Sequence, residues 1–155
     1  MIGSRTLATA ALLLLMCAAL SSCRGGKSPA APGLRDARLA PCPASPNCVS
    51  SDAADGEHRI APLQLAATPD EAWQAVRQLV AELPRTQVIS ETPDYLHAEC
   101  RTLLGFVDDL EVQLRPAENI IAVRSASRLG YSDLGVNRKR VENLRAALIR
   151  RGMVR

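Results

Sequence analysis

The chain alternates between stretches whose apolar residues recur at helical spacing and stretches where they recur every second residue. Thr68-Pro69-Asp70-Glu71 combines a capping hydroxyl, a proline at the first helical position and a Glu three residues after the cap, the pattern of a capping box. Ala72, Trp73, Val76, Leu79, Val80 and Leu83 follow on one stripe, and Pro84 stops it, so a helix packed on a sheet is expected here, with Trp73 in the core. Alternation takes over afterwards. Thr86–Ser90, Tyr95–Leu103, Phe106–Leu114 and Ile120–Arg128 read as strands joined by short turns at Thr92-Pro93-Asp94 and Pro116–Asn119, which makes an antiparallel meander. Residues 59–65 read as a short edge strand because Pro62 cannot donate to a ladder. A last helix, capped by Asn137, turns Val141, Leu144 and Leu148 inward. The expected order is β-α-β-β-β-β-α: an α+β fold, an antiparallel β-meander sheet with two helices packed on one face.

The amino-terminal end has a different texture. Arg5 is its only charge before residue 24, and Leu7–Leu20 is unbroken apolar or small. That run is short for a bilayer span, which takes about 20 apolar residues, and it suits a secretory signal. Leu20-Ser21-Ser22-Cys23 matches the bacterial lipoprotein signal, in which an aliphatic residue and two small ones precede the Cys that receives diacylglycerol. Residues 1–22 are therefore expected to be a lipoprotein signal peptide, Cys23 the lipidation site, and residues 23–40 a flexible tether rich in Gly, Pro and Ala. A single domain would fill 41–155. Arg24 stands where an Asp would favour inner-membrane retention. That sorting rule favours the outer membrane over the inner one, and the lipid-anchored domain is expected to face the periplasm.

Export changes how the cysteines read. Cys42 and Cys48 lie in a proline-rich loop, Pro41-Cys42-Pro43-Ala44-Ser45-Pro46-Asn47-Cys48, and an oxidising compartment favours a disulfide between them. The alternatives have less behind them. A metal site would need more ligands than the nearby His58, and the spacing is not that of a C-x-x-C redox pair. Cys100 is left as a small buried apolar residue.

Composition narrows the function classes. Only 3% of the 155 residues are aromatic, too few for stacking along a single nucleic-acid strand, and export removes nucleic acid as a partner. Charge is uneven. Residues 40–118 hold five basic and thirteen acidic side chains, whereas 119–155 hold nine basic and two acidic. Pairing of the basic end with the acidic middle, together with Arg150, Arg151 and Arg155 complementing the C-terminus of the last helix, is favoured over contact with anionic head groups.

Two segments carry more polar detail than folding needs, 101–109 and 124–140. Asp108 falls on the apolar side of its strand, so it must meet a cation or backbone donors. Arg124 and Arg128 on the next strand, or Arg138 and Arg140 on the helix, are the candidates. Asp108 and Asp109 point to opposite faces, which argues against paired-carboxylate acid–base chemistry. The structural reading is a buried ion-pair network fixing the last helix. The functional alternative is an anion or polar-ligand site drawing on Arg101, Asp108, Arg124, Ser125, Arg128, Ser132, Asp133, Asn137 and Arg138, with the N–H groups of loop 130–135 at a helix start. No G-x-S-x-G elbow, H-E-x-x-H or phosphate loop occurs, and His97 is expected to point out from the sheet. No catalytic residue, metal ligand or cofactor is assigned.

Cys42-Pro43-x-Ser45-Pro46-Asn47-Cys48-Val49-Ser50-Ser51, Phe106-Val107-Asp108-Asp109, Arg124-Ser125-x-Ser127-Arg128 and Ser132-Asp133-Leu134-Gly135-Val136-Asn137-Arg138-Lys139-Arg140 together resemble the domain-of-unknown-function family 1499 over residues 41–150. The resemblance implies an exported bacterial lipoprotein and supplies no catalytic residue. The expectation is thus a non-enzymatic envelope lipoprotein with a binding or structural role. Its partners would be the membrane, through the lipid, and an envelope protein or small polar ligand. An enzyme or polar-ligand receptor built on Asp108, Arg124, Arg128 and Asn137 is the alternative. A carrier of apolar molecules is a third class, and it would require an apolar cavity of a few hundred Å³.

Overall fold

The computed structural model describes residues 31–155; the apolar run and Cys23 lie outside the described residues. Strands β1 (Leu34–Arg35) and β2 (Arg38–Leu39) form a hairpin. Then come β3 (Cys48–Ser50), β4 (Leu63–Gln64), helix α1 (Pro69–Glu82), β5 (Thr86–Glu91), β6 (Tyr95–Arg101), β7 (Val107–Arg115), β8 (Ile120–Ser127) and helix α2 (Val136–Arg150). The main sheet runs β3-β8-β7-β6-β5, antiparallel throughout, with β4 beside β3 on the outer edge of β8. The α+β class and the four-stranded meander are as the alternation implies. The edge is simpler than expected. Only Leu63–Gln64 of residues 59–65 pairs as a strand, preceded by one parallel bridge between Ser50 and Arg59, because Pro62 interrupts the run.

Helix α1 starts where its capping box lies. The Thr68 hydroxyl accepts the Glu71 N–H at 3.4 Å, and the Glu71 carboxylate accepts the Thr68 N–H at 3.2 Å. Both helices cover one face of the sheet. Val76 and Val80 from α1, and Val141, Leu144 and Leu148 from α2, meet Leu96, Leu110, Val112, Ile121 and Val123 in a continuous core. These five strand residues are the every-second-residue set of β6, β7 and β8.

The other face is covered as well, which the sequence pattern does not anticipate. The described part of the stretch expected to be a tether folds back onto it. Leu39 packs on Tyr95 and Ala122, the Gly33 N–H donates to Glu111 at 2.6 Å, and Gln113 donates to the Ala37 carbonyl at 3.2 Å. The hairpin turn places Asp36 and Ala37 at φ 51° and 59°, the paired left-handed conformation that matches strand twist.

Helix α2 also begins differently from the expectation. Asn137 does not cap it. Gly135 occupies the cap position at φ 80°, and the Asp133 carboxylate serves the helix start by accepting the N–H groups of Gly135 and Asn137. Asn137 lies inside the first turn, fully buried.

The Cys42–Cys48 disulfide is present, with Cα atoms 5.7 Å apart, and Cys100 is a free, buried thiol. Cross-linking residues six apart in sequence removes unfolded-chain entropy worth about 2 kcal/mol. Thiol labelling of the native protein without reductant should therefore spare Cys42 and Cys48. Replacing both by Ser should lower unfolding free energy in urea by about 2 kcal/mol; labelling of either residue would contradict the bridge.

Candidate functional site

The polar residues of 101–140 divide into two groups on opposite faces of the sheet, and a cleft opens beside one of them. On the helix side, Asp108 is 1% exposed. One carboxylate oxygen accepts the Ser127 hydroxyl at 2.6 Å, and the other accepts Arg140 Nη2 at 2.6 Å. Arg140 Nη1 also donates to Ser125 Oγ and to Asn137 Oδ1. Ser125 donates to that same oxygen, while Asn137 Nδ2 donates to Ser127 Oγ and to the Asn47 carbonyl. Both Asp108 oxygens, the Ser125 and Ser127 hydroxyls, the Asn137 amide and both terminal nitrogens of Arg140 thus have partners, as burial demands. Of the cations considered for Asp108, Arg140 is the one that meets it.

Arg124 and Arg128 do not join this group, because they occupy the opposite parity of the strand. Arg124, also 1% exposed, pairs with Glu111 at 2.6 Å, and Glu111 accepts the Tyr95 hydroxyl at 2.8 Å. Burial, reinforced by the Glu111 charge, pushes the Tyr95 phenol upward, so it stays protonated and donates. Arg128 holds Asp109 through Nε and Nη2 and Glu99 through Nη2. His97 faces away from the helices as expected but is buried rather than solvated, with Nε2 2.7 Å from Asp109 Oδ1. Burial alone would raise the Asp109 carboxyl. The hydrogen bonds from His97 and Arg128 outweigh it and hold the group down to about 2. A carboxylate that is ionised can only accept, so His97 carries its proton on Nε2. Of the remaining candidates, Arg138 binds the carbonyls of Glu57 and Arg59, and Arg101 is exposed, 3.8 Å from Glu99. Among the described residues, no group of three or more His, Cys, Asp or Glu is placed to hold a metal.

The cleft lies at the end of the sheet where three connections meet: the α1–β5 turn, the β6–β7 turn at 102–106, and the β8–α2 loop at 128–135. Its volume is 630 Å³, within the range of small-molecule sites. Leu83, Leu103, Leu104, Phe106, Leu129 and Leu134 supply apolar walls, with Cys100, Asp108, Ser127 and Arg140 also lining it and Arg85, Arg101 and Lys139 as exposed cations. Burial pushes the Cys100 thiol up, so it contributes an uncharged wall. The β6–β7 turn is closed by Thr102 and Phe106 N–H contacts and by Gly105 at φ 85°. Asn47 fixes the opposite wall by donating to the Gly130 carbonyl at 2.7 Å.

A model of a protein family described as a protein of unknown function (DUF1499) matches residues 38–148, most of the chain. The chain belongs to that family. No curated protein and no solved structure matches it. The DUF1499 match spans the disulfide loop, both turns of the cleft and the Asp108–Arg140 cluster. It also begins at Arg38, inside the hairpin, rather than after residue 40.

Four of the nine residues singled out from the sequence, Arg101, Asp108, Ser132 and Asp133, line the DUF1499 cleft. Ser125 and Asn137 sit behind it in the network. The apolar walls were missed. Their signal is Leu103-Leu104-Gly105-Phe106, consecutive large apolar residues in a segment that must turn between two strands.

Two outcomes follow from the clusters. Asp108→Ala leaves the Arg140 guanidinium without its counter-ion and should cost about 3–5 kcal/mol in urea unfolding. Exchanging both residues together, Asp108→Leu with Arg140→Met, should cost far less. For Asp109, a carboxyl held below its ordinary 3.8 contributes stability that is complete above that value and lost as pH falls toward about 2. The gap in unfolding free energy between the protein and Asp109→Asn should therefore narrow on acidification across that window. A constant gap would mean that Asp109 is not held ionised by its neighbours.

Proposed function

We propose that the protein is an exported, lipid-anchored envelope protein that works without catalysis, as a binding module for a small amphiphile. The observation that carries the binding reading is the 630 Å³ cleft with aliphatic walls and a cationic rim. Aliphatic walls suit a hydrocarbon portion, since removing apolar surface from water contributes roughly 25 cal/mol per Å². The exposed Arg85, Arg101 and Lys139 suit an anionic or strongly polar head group. This modifies the polar-ligand expectation. The arginines expected to bind an anion from inside the fold are occupied by Glu111, Asp109 and Glu99, and the apolar-carrier class gains the cavity it required. The DUF1499 domain holds no elbow nucleophile, and His97 is turned to the far face of the sheet. Anchoring rests on Leu20-Ser21-Ser22-Cys23 after the apolar run, and two or more acyl chains give stable attachment. Arg24 favours the outer membrane, facing the periplasm. The disulfide agrees with an oxidising compartment.

Mass spectrometry of the protein extracted from bacterial membranes tests both parts. Denatured, the chain should begin at Cys23 and carry acyl mass. Native, it should carry a further non-covalent mass or take up a fluorescent fatty acid that Leu104→Asp with Phe106→Asp no longer takes up. A chain retaining residues 1–22 without acyl groups would reject the anchor. A bare native mass with no fatty-acid uptake would reject the cleft as a binding site.

A further inference from the structure

Ten large apolar side chains are exposed among the described residues, and seven of them fall within 103–106 and 129–136. The concentration is not explained by packing. Leu103, Leu104 and Leu134 are 86%, 85% and 94% exposed, although single exposed apolar residues elsewhere on the surface are ordinary. Both segments border the mouth of the same cleft, so their tips form one patch rather than scattered sites. Contiguous apolar patches of this kind mark contact surfaces.

The backbone adds an independent observation. Leu134 has φ 53°, a left-handed conformation that a bulky residue adopts at a cost. Glycine or asparagine would fit this turn without strain, so the turn does not call for a leucine, and at 94% exposure its side chain adds nothing to the packing. Leu129, Tyr131 and Leu134 alternate with the small or polar Gly130, Ser132 and Asp133. The Asp133 carboxylate is turned away from the tip, into the helix start. Asp108, the other acid beside the mouth, is buried against Arg140. The charges left exposed at the rim are Arg85, Arg101 and Lys139.

From the apolar tips and the cationic rim we infer that this end of the domain docks on an anionic lipid leaflet. Leu103, Leu104 and Leu134 enter the acyl region, while Arg85, Arg101 and Lys139 sit at the head groups. Apolar side chains on a basic surface are what interfacial binding requires, and each cation near an anionic surface adds attraction. This contact is separate from any acyl group on Cys23. It also opens the cleft toward the leaflet, so an amphiphile could enter without crossing water.

The test places a tryptophan in the full-length protein, as expressed, at Leu104→Trp or Leu134→Trp, with Ile149→Trp at the far end of α2 as control. Trp73 is buried in the core and common to all, so signals are read as differences from the parent protein. Vesicles contain phosphatidylethanolamine and phosphatidylglycerol brominated on their acyl chains. The tip tryptophans should shift to the blue and be strongly quenched; the control should be unchanged. Adding Leu103→Asp should raise the lipid concentration needed for half-maximal tip quenching by about tenfold or more. Quenching at 104 and 134 no greater than at 149 would overturn the inference, whether or not the protein sediments with the vesicles; sedimentation reports the anchor separately. Equal quenching in brominated phosphatidylcholine would overturn the anionic assignment. A blue shift without bromine quenching, together with self-association in the absence of lipid, would assign the patch to a second copy of the chain instead.

Discussion

A charged pair in a dry interface governs this fold. Asp108 and Arg140 meet between the sheet and α2 where water does not reach the carboxylate. Such a pair is tolerated only when its remaining donors and acceptors are met. Ser125, Ser127 and Asn137 meet them, and Asn137 is itself tied to the Asn47 carbonyl. Because Asn47 precedes Cys48, the disulfide loop, the end of β8 and the first turn of α2 hold one another in place. The position of α2 then sets one wall of the cleft, and the Asn47 bond to Gly130 sets the loop beside it. Ligand access thus depends on a network that reaches the cleft wall only through Asp108, Ser127 and Arg140.

The second face of the sheet follows a related logic. Tyr95, Glu111 and Arg124 form one buried chain of contacts, and His97, Asp109 and Arg128 another. Buried pairs of this kind add little net stability over apolar residues of equal size. Register is where they count. A one-residue slip of β7 against β8 would send Glu111 into the aliphatic core and leave Arg124 without its carboxylate. The buried acids of the middle of the chain are thus matched by arginines of its basic end, in Asp108–Arg140, Asp109–Arg128 and Glu111–Arg124.

What was legible in the sequence was whatever is local. The capping box of α1, the alternation of β6 to β8, the Trp73 core position and the Cys42–Cys48 bridge all rest on neighbours a few residues apart. The misplaced elements depend on distant partners. Nothing in Gly33-Leu34-Arg35-Asp36-Ala37-Arg38-Leu39 signals that Glu111, 78 residues further along, will take its first N–H. Asn137 has the composition of a cap and the position of a hub, because Arg140 lies one turn further along and Asp133 is nearer the helix start. Strand parity alone separates Arg124 from Asp108, and applying it to β8 as it was applied to Asp108 and Asp109 would have divided the candidate site into its two faces.

The hairpin that folds residues 34–39 onto the sheet has a bearing on how far the domain can roam. Were Cys23 held at a bilayer, only ten residue steps would separate it from Gly33, whose N–H is bound to the sheet. Fully stretched, that leash reaches about 35 Å. A folded body confined to so thin a layer meets the surface beneath it at a high effective concentration, so even a feeble affinity of its loop tips would keep it pressed there, with orientation rather than recruitment left for those tips to decide.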